Sequence, residues 1–432
     1  MSESEGNHEI ESINWRRCFS FLEILRSFRM AIHPLKLGLC FLGMLGTIWI
    51  GVAIDQVPGI GQTSVHGTSF HKNCSNLITG PLWGTWALPY MGDGTSGEFF
   101  QFLMAPVTAA RDAVKLAVDY WDQAWPFALV NTILLLALWA VVGGAVTRMA
   151  AVRTAREESV PLKQALCFAI RKWPSTVTSP LIPFGVLVAL AAVVGLVTAV
   201  PTMIPYAGSI FFGLLSWLTL IVGFVMALMF IGGIFSLGLQ WPTIAAEGSD
   251  SFDAISRSVS YVSSRPWKYL FYTAFSVVYG CLTFIFVKFV AFLTLKITHL
   301  AVGTFTTSWW SGGTTDKLVR IWAPPTLADP WPMSGSQADV ISNAEMIRAE
   351  AFAHFFVSGW VWVVLGLAVA FLISFFFSSQ TVIYFLLRRS VDATDMEEVY
   401  LEESEEEGLP VEHKVEGPEA PPKSGATPPA EG

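Results

Sequence analysis

The sequence predicts an all-α membrane protein with about six transmembrane helices and with amphipathic helices lying on the cytoplasmic membrane surface. Of its 432 residues, 53% are hydrophobic and only 14% are charged, whereas a soluble domain carries about a quarter charged residues. The apolar residues also gather into runs, and a helix needs roughly 20 such residues to cross a bilayer. Composition and patterning therefore favour a helix bundle in lipid.

The formal net charge of −8 combines two different regions. Residues 391–432 hold 13 of the 34 acidic residues and only Lys414 and Lys423 as bases, while the rest of the chain has 24 basic and 21 acidic residues. An acidic, proline-rich segment of this composition is predicted to be a disordered tail. The mildly basic body has none of the features of a nucleic-acid surface.

The apolar runs divide the chain into three regions. Residues 1–36 are predicted to form a cytoplasmic segment with a basic amphipathic helix. Residues 37–390 are predicted to form a six-span membrane domain with two long extracytoplasmic loops, 55–125 and 298–354, and residues 391–432 the cytoplasmic tail. The predicted spans are about 37–54, 126–147, 180–200, 207–239, 269–297 and 355–387.

Lysine and arginine are distributed unevenly between the two sides of these spans. Four segments on one side hold 18 of them, and the opposite side holds 7, counting Lys296 at the edge of its loop. Basic residues accumulate on the cytoplasmic side of membrane proteins. The asymmetry therefore predicts a multi-pass protein of the bacterial cytoplasmic membrane with both termini in the cytoplasm. The four basic segments are 1–36, 148–172, 240–268 and 388–432.

The stretch from Gln240 to Tyr272 joins the fourth span to the fifth. Trp241-Pro242 is predicted to end the fourth span, because proline removes a helix hydrogen bond. Gly248 to Asp250 then offer a turn and an N-cap, and residues 251–265 are predicted to form a short helix lying flat on the membrane. Its predicted apolar face consists of Phe252, Ile255, Val259 and Val262.

A weak internal repeat appears where the chain enters the membrane from the cytoplasmic side. Residues 24–28 (ILRSF), followed by Pro34-Leu35-Lys36, match residues 255–259 (ISRSV), followed by Pro266-Trp267-Lys268. The segment from Pro161 to Pro174 is similar in kind. Such a unit would be one surface helix with two spans, used three times. Chance similarity among basic amphipathic helices is the alternative explanation.

The same stretch carries a family resemblance. Pro242, Glu247 and Gly248, followed by Ala254-Ile255 and Arg257-Ser258, resemble a pattern in bacterial polytopic membrane families of unknown function. One of these is the membrane domain attached to some glycerophosphoryl diester phosphodiesterases. The resemblance covers residues 240–290 and implies a helical membrane module. The metal-binding acids of the phosphodiesterase barrel have no counterpart here, so it implies no catalytic residue.

Several basic residues are candidates for lipid contact. Lys288 is the charge well inside a predicted span, about 9 Å past the middle of the fifth helix at 1.5 Å per residue. Its amine is predicted to snorkel to the outer headgroups, with a pore-facing or lipid-binding role as the alternative. Arg26, Arg257, Arg265 and Lys268 are predicted to contact lipid at the membrane interface.

Two further patterns could form a metal site or a partner surface. His66, His71 and Cys74 could supply ligands to zinc or copper, but the acids and fixed geometry of a site are not visible, so neither a metal nor a cofactor is predicted. Small residues recur every four positions on the sixth span and predict close packing within the bundle or a homodimer face; they are Gly366, Ala370, Ser374 and Ser378. The Glu402–Glu407 run is a candidate docking site for a basic protein.

No catalytic motif occurs in the sequence, and no chain of carboxylates crosses the predicted spans. The leading interpretation is a non-enzymatic integral membrane protein that acts as a scaffold, an envelope-maintenance protein or a lipid-interacting module, with membrane lipids as partners. The alternative is a permease or channel for a neutral or lipidic substrate. A membrane enzyme would need acids and histidines that converge at one interface.

Overall fold

The computed structural model describes residues 19–57, 69–70, 72–74, 104–203, 207–305, 318, 321–325 and 348–400. Every regular element among these residues is a helix, which confirms the predicted all-α class. A 3₁₀ helix, Ser20–Leu25, precedes the α-helices. They are α1 (Arg26–Ala31), α2 (Pro34–Asp55), α3 (Ala105–Gln123), α4 (Trp125–Arg156), α5 (Leu162–Arg171), α6 (Trp173–Thr202), α7 (Ala207–Glu247), α8 (Ser251–Ser264), α9 (Pro266–Phe305) and α10 (Arg348–Asp392).

Six of these helices are long and apolar enough to cross a membrane, so the protein is a multi-pass membrane protein. They are α2, α4, α6, α7, α9 and α10. Each extends beyond the span predicted from the sequence, because a helix keeps its hydrogen bonds after its side chains become polar. α4, for example, continues through Arg148 and Arg153 to Arg156. The acidic tail, Leu401–Gly432, lies outside the described residues.

The prediction that Trp241-Pro242 ends the fourth span is wrong. α7 continues through the proline to Glu247. Proline removes one helix hydrogen bond, the one to the carbonyl of Gly238, and the tryptophan beside it is fixed by other helices. Its ring stacks on Phe377 with centroids 5.6 Å apart, and its indole N–H donates to the carbonyl of Thr176 at 3.1 Å. These contacts hold the last turns of α7 in place.

α10 occupies the centre of the bundle, where it packs against α2, α4, α7 and α9. Its small residues permit this close packing. A Cβ atom added at Gly366 would lie 2.5 Å from the ring of Phe41, and Ala370, Ser374 and Ser378 are fully buried. The small-residue face of the sixth span is therefore used inside the bundle, and the alternative of a homodimer face there is wrong.

α6 and α7 form a hairpin that joins the bundle at one end. A Cβ atom added at Gly195 or Gly223 would meet nothing within 4 Å, whereas one added at Gly233 would lie 3.6 Å from Pro183. Large apolar side chains along the far half of the hairpin are exposed, such as Leu196, which is 68% exposed. Such a surface suits contact with lipid tails.

The segments that the sequence places on the cytoplasmic side meet at one end of the bundle. We call this the basic end; it is formed by α1, α5, α8 and the C-terminal ends of α4, α7 and α10. One buried cluster there joins Ile24, Ala155, Ala246, Tyr261 and Leu387. At the other end α3 packs beside α2 and α4, where Ile54, Tyr120 and Phe127 share a second cluster.

The surface helix predicted for residues 251–265 is present as α8, but a different face packs on the bundle. Of the predicted apolar stripe only Val262 is buried, and Phe252 is 72% exposed. Short side chains bring α8 close to α7, and the hydroxyl oxygens of Ser258 and Thr243 lie 3.2 Å apart. The buried residues of α8 are Ala254, Ser258, Tyr261 and Val262.

The N-terminal surface helix shows the same shift of its packed face. Ser27 is fully buried, while the large apolar residues Leu25 and Ile32 are 39% and 41% exposed. The packed faces of the two surface helices therefore combine small side chains, such as Ser27 and Ala254, with large ones, such as Met30 and Tyr261. Other large apolar residues of these helices, such as Phe252, are exposed.

Candidate functional site

Glu247 is the most connected carboxylate of the basic end. It is the last residue of α7, and its side chain is only 9% exposed. The helix ends here because Gly248 adopts φ +63°, a left-handed conformation that glycine takes at little cost. Its N–H bonds to the carbonyl of Ile244 at 2.9 Å. The turn leaves the carboxylate of Glu247 facing α8 and α10.

Three side chains converge on this carboxylate, and together with it they form what we call the Glu247 centre. Arg257 Nη1 of α8 lies 2.7 Å from one carboxylate oxygen. Arg388 Nε of α10 lies 3.5 Å from the other, and the Tyr384 hydroxyl donates a hydrogen bond to that same oxygen. Two cations and one neutral donor thus neutralise a nearly buried acid.

Arg257 also bonds within its own helix. Its Nε donates to Asp253 Oδ1 at 2.9 Å. The hydrogen bond that Arg257 donates to Asp253 raises the pKa of Arg257, burial opposes that shift, and the charge of Glu247 adds to it. The guanidinium therefore remains charged and holds two carboxylates, one on α7 and one on α8.

Tyr261 makes a further link between α8 and α10. Its hydroxyl donates to Asp392 Oδ2 at 2.5 Å. Burial raises the pKa of Tyr261, and the hydrogen bond to Asp392 raises it further. The phenol is therefore neutral at physiological pH and acts as a donor to the end of α10.

Residues 393–400, which we call the C-terminal segment, fold back onto the α7–α8 corner. The Tyr400 N–H donates to the carbonyl of Ala246 at 2.8 Å, and Arg148 Nη2 donates to the carbonyl of Tyr400 at 2.8 Å. Arg148 Nη1 reaches the carbonyl of Ala245 at 2.7 Å. A Cβ atom added at Gly248 would lie 2.6 Å from the ring of Tyr400. The segment is thus bound at both backbone groups of its last described residue.

A cavity of about 670 Å³ lies between the C-terminal segment and the Glu247 centre. Arg257 and Arg388 face carboxylates within it, whereas Arg156 has no ion-pair partner among the described residues. The cavity is polar and holds both signs of charge. It is lined by Arg156, Ala246, Glu247, Ser249, Asp253, Arg257, Arg388, Glu397, Glu398, Val399 and Tyr400.

The two segments of the predicted three-unit repeat that match most closely in sequence have matching ion pairs. Arg26 bonds to Glu23 at 2.9 Å and to Glu157 at 3.2 Å, just as Arg257 bonds to Asp253 and Glu247. Each arginine thus pairs with an acid one turn earlier and with a glutamate at the C-terminal end of a span. Pro34 and Pro266 then begin α2 and α9. The two segments that match in sequence therefore also share the same arrangement of ion pairs and the same proline at the start of the next helix.

The predicted lipid-contacting residues have different surroundings. Arg26 and Arg257 are held in the ion pairs above, whereas Arg265 and Lys268 are exposed. Lys288 is only 1% exposed, and its Nζ lies 5.9 Å from the ring centroid of Phe284. The prediction that Lys288 snorkels to the headgroups is wrong, because it lies on the face of α9 that packs into the bundle.

Of the weak metal candidates, His66 and His71 lie outside the described residues. Cys74 is half-buried beside the cluster at the far end of α2. Burial raises the pKa of the Cys74 thiol to about 12, and the charge of Asp55 adds to that shift. The thiol is therefore protonated at neutral pH, a state that does not favour metal binding.

Sequence reasoning missed two residues that organise the basic end. Arg148 belongs to a basic cluster that looks like a solvated face, yet it is fully buried, with its guanidinium 4.4 Å from the ring centroid of Phe168. Lys36 was expected to lie in the cytoplasmic segment but is 2% exposed in the first turn of α2. The signal in both cases is a cation that directly adjoins the end of a predicted span.

Fold and site together define an all-α, multi-pass membrane protein with a charge-paired cluster at one end. No family model, curated protein or solved structure matches this chain. The resemblance of residues 240–290 to the phosphodiesterase-attached membrane domains therefore stays a prediction.

Proposed function

We propose that this protein is a non-enzymatic scaffold of the bacterial cytoplasmic membrane, with both termini and the basic end in the cytoplasm. The observation that supports this role is the Glu247 centre. It ties together the ends of three separate elements, α7, α8 and α10, and the C-terminal segment packs on the same corner. The negative charge of Glu247 is neutralised by arginine side chains of the protein itself.

A rigid corner of this kind suits a platform for other proteins. Glu247, Arg257 and Arg388 have partners on neighbouring elements, so movement of any one element breaks an ion pair. The acidic run Glu402–Glu407 follows Tyr400 in the sequence. We propose that the partner is a basic protein that recognises this run.

Affinity purification from native membranes tests the scaffold role. The full-length protein should retain a basic partner in lipid-preserving polymer discs. Replacing the five glutamates between 402 and 407 with glutamine should abolish its recovery. As a matched control, replacing Lys414 and Lys423 with glutamine changes the charge of the same tail. This change should leave the recovery of the partner intact. Equal recovery from all three proteins, or no partner at all, would contradict the proposal.

A second candidate function is a permease for a lipidic substrate. Two fully or nearly buried glutamines support it, Gln240 on α7 and Gln380 on α10, since neither Oε1 atom has a hydrogen-bond partner among the described residues. A polar group of a substrate could donate a hydrogen bond to these two Oε1 atoms. Reconstituted vesicles that move a fluorescent lipid between leaflets, and lose this activity on Gln240→Leu, would favour the permease over the scaffold.

A further inference from the structure

One side of α3 is an apolar face that is exposed instead of packed on the bundle. Val114 is 65% exposed and Val118 is 60% exposed, and Val107 and Trp121 are exposed as well. Their spacing of 7, 4 and 3 residues places all four side chains on one side of the helix. Single exposed apolar residues are ordinary on a protein surface, but a continuous stripe of them marks a contact surface.

The face of α3 that packs on the bundle points in a different direction. Ala105 and Tyr120 are buried, and Leu116 packs against the buried cluster of Tyr120. Successive residues of an α-helix are about 100° apart around its axis, so Leu116 points about 160° away from both Val114 and Val118. The exposed apolar face is therefore separate from the packed face.

A third face of α3 is polar. Arg111, Lys115 and Asp122 fall within about 40° of one another around the helix axis, and all three are exposed. A helix with a polar face and an apolar face suits a position along a membrane surface, with the polar side towards water. The third side of α3 is then free to pack on the bundle.

The neighbours of α3 place its C-terminal end where two spans end. Tyr120 shares a buried cluster with Ile54, in the last turn of α2, and with Phe127, in the first turn of α4. Only Ala124 separates α3 from α4. α2 and α4 are long and apolar enough to cross the membrane, so their ends lie near the headgroups. α3 also contacts α9, a third span.

We propose that the exposed apolar face of α3 is inserted in the headgroup layer of the membrane, so that its partner is the lipid surface. The junction with α4 favours lipid over a protein partner. Trp121 and Trp125 are exposed on either side of this junction, and tryptophan favours the headgroup level. Leu129 and Ile133 are exposed in the first turns of α4, where the side chains of a span face lipid. The apolar face of α3 thus leads into the lipid-facing surface of α4.

The charges of α3 indicate which kind of lipid it needs. The helix has two basic residues, Arg111 and Lys115, and three acidic residues, and Arg111 pairs with Asp112 at 3.1 Å. A polybasic segment is attracted to anionic lipids, but α3 has no excess of positive charge. Apolar contact therefore attaches it to neutral and anionic membranes alike. This attachment is independent of the proposed scaffold role.

Electron paramagnetic resonance of spin labels tests the depth of α3 in lipid nanodiscs. In a cysteine-free background, Val114→Cys and Lys115→Cys carry the label at adjacent exposed positions on different faces. Oxygen concentrates in lipid and a nickel chelate stays in water, so the ratio of their accessibilities reports depth. This ratio should be at least about threefold higher at position 114, as expected for a face buried at the headgroup boundary. Nanodiscs of phosphatidylcholine, with and without phosphatidylglycerol, should give the same difference.

Three results of this experiment would overturn the proposal. Equal ratios at the two positions would mean that the whole exposed surface of α3 lies in water. A label at position 114 that neither reagent reaches would mean that a second copy of the protein covers this face. A difference that appears only with phosphatidylglycerol would mean that charge, and not apolar contact, attaches the helix.

Hydrogen–deuterium exchange in nanodiscs tests the same face with the native cysteines in place. The double variant Val114→Asp with Val118→Asp and the single variant Lys115→Asp both change the net charge by about −2 at neutral pH. The double variant should speed exchange within residues 105–123 by about tenfold, and the control by less than about twofold. Val114 and Val118 are exposed, so a loss of packing within the protein does not predict this difference. Equal exchange in the two variants would contradict the proposal.

Discussion

Arg148 Nη2 donates a hydrogen bond of 2.8 Å to the carbonyl oxygen of Tyr400, across 252 positions of the sequence. The same guanidinium donates to the carbonyl of Ala245, and the Tyr400 N–H returns to the carbonyl of Ala246. One buried cation on α4 therefore fastens the C-terminal segment to the end of α7. The positive charge of Arg148 therefore stabilises the fold, although the other basic residues near it in the sequence suggest a solvated surface.

Replacing Arg148 with methionine should loosen this junction. Two carbonyl groups lose a charged donor, and hydrogen bonds to charged groups contribute about 1.5–3 kcal/mol each. We expect the free energy of unfolding to fall by about 3–6 kcal/mol in reversible denaturation of the detergent-solubilised protein. Arg156→Met, on the same helix but exposed, is the control and should change it by less than about 0.5 kcal/mol. Equal effects would show that Arg148 has no special role.

Gly248→Ala should destabilise the α7–α8 corner for two separable reasons. A non-glycine residue at φ +63° costs about 1–2 kcal/mol, and the added Cβ would lie 2.6 Å from the Tyr400 ring. Thermal unfolding of Gly248→Ala in the wild type and in a Tyr400→Ala background separates the two terms. The substitution should cost less in the second background. An identical cost would mean that the ring does not lie over the glycine.

Two adjacent glycines of α4 should respond in opposite ways to alanine. A Cβ atom at Gly143 would lie 2.4 Å from the Trp241 ring, whereas one at Gly144 would lie 3.4 Å from Ala169. Both substitutions gain about 1 kcal/mol in helix propensity, so their difference measures the clash. We expect Gly143→Ala to be less stable than Gly144→Ala by about 1–3 kcal/mol in thermal denaturation. Equal stabilities would contradict the close packing of the Trp241 ring against Gly143 of α4.

The sequence predicts the helices of this protein better than it predicts their packed faces. Runs of apolar residues are local, so the six spans and α8 can be found from composition and period. The face of α8 that packs on the bundle depends on α7, where Thr243 meets Ser258, and no local pattern reports that contact. Pro242 shows the same limit, because contacts of Trp241 with distant residues decide whether the helix continues.

The candidate site was visible in the sequence only in part. Pro242, Glu247, Gly248 and Arg257 form a recognisable pattern, but the partners Tyr384 and Arg388 come from a span more than 130 positions away. Lys36 and Lys288 illustrate the opposite error, since a lysine near an apolar run is usually expected to reach water. Which way such a side chain points depends on the neighbouring helices.

The basic asymmetry predicts the orientation of the protein in the membrane, and this prediction can be measured directly. In a cysteine-free background, Ser256→Cys on α8 and Lys115→Cys on α3 both place a thiol at an exposed position. A membrane-impermeant maleimide added to intact spheroplasts should label the second and miss the first until the membrane is opened. Labelling of Ser256→Cys alone would reverse the topology.

The central claim is that Glu247 holds α8 on the bundle through Arg257 and positions Arg388, whose Nη1 donates to the carbonyl of Glu398 in the C-terminal segment at 2.8 Å. Hydrogen–deuterium exchange of the reconstituted protein tests this claim most directly. Peptides covering residues 251–264 and 393–400 should exchange slowly in the wild type. Glu247→Gln should speed their exchange at least about tenfold, equivalent to a loss of about 1.4 kcal/mol of local stability. Asp253→Asn, which removes only the exposed partner of Arg257, should have a much smaller effect. Rapid exchange of both peptides in the wild type, or slow exchange unaffected by Glu247→Gln, would contradict the account.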